Sequence, residues 1–73
     1  MVTASTQAVA TQAQSALRES KHHFLRTLTV ERTPSGEILI TGNVRSFYQK
    51  QKAQEFVRNV AAGVRVVNDI EVD

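Results

Sequence analysis

The sequence predicts an α+β fold of order α-β-β-α-β, with two helices packed on one face of a three-stranded mixed sheet. Three observations predict it. Apolar residues recur at three- and four-residue steps over 4–20 and again between Ser46 and Gly63. They recur at two-residue steps over 25–32, 37–41 and 64–72. The stretch TPSG, residues 33–36, separates the first two of those strands as a turn.

Each element has a local reason. Residues 4–20 are rich in Ala and Gln, contain no Gly or Pro, and set Val9, Ala13, Ala16, Leu17 and Ser20 on one face. Thr3 or Ser5 is placed to cap the start. The stripe is built of small side chains, so this helix needs a partner surface to form. In the next segment Leu28 and Val30 alternate with Thr27, Thr29 and Glu31, the beat of a strand with one buried face. Pro34 fixes a turn-compatible φ and Gly36 tolerates the closing conformation, which makes a hairpin.

The return strand puts Ile38 and Ile40 on one face and Leu39 on the other. Gly42 is expected where the chain bends out of the sheet. Ser46 and Gln49 have the S-x-x-Q spacing of a capping box. Behind them Ala53, Phe56, Val57, Val60 and Ala61 form the buried stripe of the second long helix, which Gly63 ends. Val64, Val66, Asn68, Ile70 and Val72 share one face of the last strand. A right-handed crossover through that helix makes the second and third strands parallel. The open face of the sheet is expected to carry Thr27, Thr29, Glu31, Leu39, Thr41, Val67, Asp69 and Glu71.

Composition narrows the function classes. The 73 residues suffice for one small domain with a modest core. Cysteine is absent, which removes disulfides and thiolate chemistry. No apolar run approaches the roughly 20 residues of a membrane span. Residues 1–17 are uncharged but lack the basic start and long apolar centre of a signal peptide. The net charge is +2, with the basic excess held in residues 18–58, far short of a dedicated nucleic-acid binder.

The residues that carry chemistry are few. His22 and His23 are neighbours, point about 100° apart on a helix, and do not converge on one ion. No metal is expected, and the pair reads as a polar helix end. Serines sit at caps and turns, without a nucleophile elbow. Gly36 and Gly42 are separated by a strand and followed by no Gly-Lys-Ser, so no phosphate loop is present. Neither an enzyme nor a cofactor is expected. RNA binding is the minor alternative: Gly42-Asn43-Val44-Arg45 lacks the second Gly of a G-x-x-G clamp. Nucleic acid is therefore not expected as the partner.

The ordered string SGEILITGNVRS, then Ala53, then Gly63-Val64 and VVNDIEV, resembles the BON domain, a bacterial family named for osmotically inducible and nodulation proteins. The resemblance rests on Gly36, Ile38, Ile40, Gly42, Val44, Ser46, Ala53, Gly63, Val64, Val66, Asn68, Ile70 and Val72. It covers about residues 9–73, with 1–8 as a tail or frayed helix start. Gly63-Val64 falls one residue late against the usual pattern, which predicts a small shift at the end of the long helix. The resemblance implies the fold derived above, a non-catalytic role, phospholipid binding, and a place in the bacterial periplasm or cell envelope. It carries over no catalytic residue. Its marked positions have structural readings: Gly36, Gly42 and Gly63 for backbone freedom, Ser46 as a cap, Ala53 for close helix–sheet packing, and Asn68 within the last strand.

One stretch, RSFYQKQK at residues 45–52, is not absorbed by the fold. With Ala53, Val57 and Val60 turned inward, Phe47, Tyr48 and Lys52 face outward, and Lys50 lies near the stripe's edge. Aromatics beside cations have the composition of a membrane-interface contact. Arg45, Phe47, Tyr48 and Lys52 are thus the candidate contact with an anionic phospholipid or membrane surface. The competing reading, which weighs somewhat more, has both rings covering the sheet end or the first helix. A protein partner or self-assembly through an open edge of the last strand is the functional alternative.

Overall fold

The computed structural model describes residues 6–73. Six elements follow in order: α1 (Thr6–Arg18), α2 (His23–Arg26), β1 (Thr29–Arg32), β2 (Ile38–Val44), α3 (Phe47–Val60) and β3 (Val66–Val72). The sheet order is β1-β2-β3, antiparallel between β1 and β2 and parallel between β2 and β3. The α+β class and the mixed three-stranded sheet are as the sequence predicts. The proposed caps Thr3 and Ser5 lie outside the described residues.

α1 buries Ala10, Ala13 and Leu17 and packs over β1; α3 buries Ala53 and Val57 and packs over β3. The two helices also touch each other, and the alanines on them let backbones approach closely. Leu28, Val30, Ile38, Ile40, Val44 and Ile70 complete the core from the sheet side. On the other face Thr29, Glu31, Asp69 and Glu71 are exposed, while Leu39, Thr41 and Val67 are half-buried.

Three expectations are corrected. The first strand does not begin at Leu25, because residues 23–26 form the extra helical turn α2. Leu25 and Leu28 are both buried, and a three-residue spacing reaches one core only through a helical turn. The Thr27 hydroxyl donates to the Phe24 carbonyl at 3.0 Å and the Leu28 N–H donates to the Leu25 carbonyl at 3.3 Å. Thr27 therefore closes α2 and is not part of the sheet.

Gly42, secondly, does not lead the chain out of the sheet. It sits inside β2, opposite Ile70, with φ +142°. A Cβ there would lie 2.6 Å from Leu28 Cδ2 and 3.4 Å from Leu28 Cα. The missing side chain is what lets Leu28, at the entry to β1, lie closely alongside β2. Thirdly, β3 starts at Val66 rather than Val64, since the Val64 N–H is taken by the Ala61 carbonyl in the turn after α3. Gly63 holds φ +86° in that turn.

Both sheet edges carry side-chain amides. The Gln14 carbonyl oxygen accepts from the Val30 N–H at 2.7 Å, and its NH₂ donates to the Leu28 carbonyl at 3.1 Å. Those are two of the bonds that an added strand would make along the β1 edge. On β3, Arg65 accepts from Ile38 and Asp73 donates to Val44, so odd-numbered backbone groups face β2. The even-numbered ones face outward. Of these, the Ile70 N–H donates to Asn68 Oδ1 at 3.1 Å. The Asn68 NH₂ reaches α3, donating to the Lys50 carbonyl and to Gln54 Oε1, both at 3.1 Å.

Candidate functional site

β2 ends at Val44, and two residues turn the chain into α3. Ser46 is the N-cap, extended at φ −151° and ψ 158°, and its hydroxyl accepts from the Gln49 N–H at 3.1 Å. The Gln49 side chain reaches back, as the S-x-x-Q spacing predicts, but accepts from the Arg45 N–H at 2.9 Å. The cap thus fixes Arg45 and the first turn of α3 as one unit. With Ala53 and Val57 buried, the start of the helix turns its other side to solvent.

Phe47 is 76% and Tyr48 68% exposed, and they are the exposed large hydrophobic residues among the described residues. The reading in which these rings cover the sheet end or α1 is therefore overturned. The reason is α2, which the sequence did not reveal: it supplies Leu25 to the core, and Phe24 packs partly against that core. Lys52 Nζ stands 5.6 Å from the centroid of the Tyr48 ring, a cation–π distance. Lys50 is half-buried, as expected of a residue at the stripe's edge.

The structure brings Tyr48 and Lys52 together directly. They line a groove of about 490 Å³ whose floor includes Phe24, Leu25 and Phe56. Arg45 lines a neighbouring groove with Lys21, His22 and His23. Gln49 and His22 belong to both. Phe47 lines neither and stands free at the helix start. Sequence reasoning missed the contribution of Lys21, His22 and Phe24. They lie more than twenty residues upstream of the first turn of α3, and only the unforeseen α2 turn brings them beside it. Among the described residues, no three His, Asp or Glu side chains stand together as metal ligands would.

The other marked positions have packing roles. Gly36 holds φ +85° in the hairpin turn, where its N–H donates to the Thr33 carbonyl at 2.9 Å. Ala53 is fully buried, and Asn68 ties β3 to α3. What remains at the surface is the exposed pair Phe47 and Tyr48, with Lys52 over the Tyr48 ring.

Compared with known proteins, the chain matches a family model described as BON domain over residues 5–73. No curated protein and no solved structure matches it.

Proposed function

The chain belongs to the BON domain family, and from that membership and the exposed first turn of α3 we propose a non-catalytic binding domain of the cell envelope. Its ligand in this reading is the surface of an anionic phospholipid membrane. The observation that carries it is the exposure of Phe47 and Tyr48 beside Lys52 and Arg45. Each cation near an anionic surface contributes about 1 kcal/mol. Partial burial of two rings adds roughly 2 kcal/mol more. Such a contact is weak, reversible and sensitive to salt.

The sheet edges favour this location over strand addition. Two of the outward backbone groups at the β1 edge are already satisfied by Gln14, and one of those on β3 by Asn68. The test is co-sedimentation with vesicles containing phosphatidylglycerol. The double variant Phe47→Ala, Tyr48→Ala is expected to bind at least about tenfold more weakly than the parent chain. Unchanged binding in that variant, or no binding by the parent, rejects the proposal.

A further inference from the structure

The two histidines open α2: the His22 carbonyl accepts from the Leu25 N–H and its ring lies 5.6 Å from that of Phe24, while His23 meets Arg26, and both stand beside the contact just described. His22 and His23 are exposed at the start of α2. His22 shares one groove with Tyr48 and Lys52, and both histidines share the next with Arg45 and Lys21. We propose that His22 and His23 belong to the same membrane-facing surface and make its attachment to anionic bilayers stronger as pH falls. This inference rests on the membrane reading given above.

Histidine is the side chain that ordinarily changes charge between pH 5 and 8. Protonation adds positive charge, which an anionic surface attracts. The phosphodiester of phosphatidylglycerol keeps its charge across that interval, so the change lies on the protein. The surroundings are mixed. Lys21 in the preceding loop, Arg26 on α2, Arg45 after β2 and Lys52 on α3 are the cations of this end. The Arg26 guanidinium stands 3.4 Å from His23 Nδ1. Glu55 lines the groove of His22. Glu19 lies upstream in the α1–α2 loop, and Asp73 accepts from the Asn43 amide at the edge of the second groove. An approaching bilayer adds many phosphates to these three acids, so a more positive patch binds it more tightly.

The expected gain is about five- to thirtyfold in affinity between about pH 7.5 and about pH 5.5, for one or two added charges. The experiment is vesicle co-sedimentation at both pH values for the parent chain and for His22→Gln, His23→Gln, with circular dichroism to confirm folding. Phosphatidylcholine vesicles with and without phosphatidylglycerol are the two surfaces. The proposal is supported if the parent binds phosphatidylglycerol vesicles more tightly at low pH and the double variant loses that increase. The variant keeps every carboxylate and the chain's amino terminus, so any response it retains belongs to them. Equal binding at both pH values overturns the inference while leaving the membrane contact standing. So does an increase that survives in the variant, or one that appears equally on phosphatidylcholine alone. No binding at either pH overturns the membrane reading itself and this inference with it.

Discussion

At the scale of single residues, Gly42 shows how one missing side chain admits a close neighbour, Leu28. Two penalties meet there. Its φ of +142° disfavours any L side chain, at about 1–2 kcal/mol. A Cβ would also lie 2.6 Å from Cδ2 of the buried Leu28, which must shift within the core to admit it. Overpacking of that kind adds about 1–3 kcal/mol. Gly42→Ala is thus expected to cost about 2–5 kcal/mol and to lower Tm by at least about 10 °C. A domain of this length holds only about 4–11 kcal/mol in total. Gly63 is the control: it too has positive φ, +86°, but nothing lies within 4 Å of its Cβ position. Gly63→Ala carries the backbone penalty alone, so thermal melts should show the smaller loss there. Equal losses at the two sites would remove Leu28 from the explanation.

At the scale of elements, the first helix matters for more than its apolar stripe, because Gln14 on α1 acts as a substitute strand for β1. Gln14→Leu keeps the volume and removes both bonds, leaving the Val30 N–H and the Leu28 carbonyl unsatisfied at a part-buried edge. The expected cost is about 1–3 kcal/mol. The freed edge should also pair with other chains, so light scattering should show a mass that rises with concentration. A variant that stays monomeric at every concentration would show that the edge is shielded by something other than Gln14. The strands and the long helices were legible from period, because Leu28, Val30, Ile38 and Ile40, and then Ala53 and Val57, repeat at the spacing of one buried face, and the hairpin turn was legible from Pro34 and Gly36. α2 was not legible. Its four residues give no period, and Leu28 serves both as the end of a helical spacing and as the start of a strand spacing. The amide edges were not legible either, since Gln14 and Asn68 act across sixteen and eighteen residues of sequence on partners that no local pattern names. For the contact site, the outward turn of Phe47 and Tyr48 followed from helix geometry, but their exposure depended on what else reached that end of the core. The answer came from α2.

At the scale of the whole molecule, charge is divided by face rather than by net value. The open face of the sheet carries Glu31, Asp69 and Glu71, all exposed, while the cations Lys21, Arg26, Arg45 and Lys52 gather where α2 meets the start of α3. A net charge of +2 would attract a membrane feebly and in any orientation. A local patch attracts in one orientation, with the acidic face turned away. Sheet and helix layers are about 10 Å apart, close to the screening length at 0.1 M salt. Two charge reversals separate these cases. Glu31→Lys with Asp69→Lys raises the net charge from +2 to +6 on the far face. Arg45→Glu with Lys52→Glu lowers it from +2 to −2 within the patch. If attachment is local, the first pair changes vesicle affinity by no more than about tenfold at 0.1 M salt. The second pair weakens it by at least about thirtyfold. Raising salt toward 1 M, where screening shortens to about 3 Å, should remove most of the parent chain's binding and leave a residue owed to the two rings. Matched effects of opposite sign from the two pairs would mean that net charge alone governs attachment, and that Phe47 and Tyr48 face solvent for another reason.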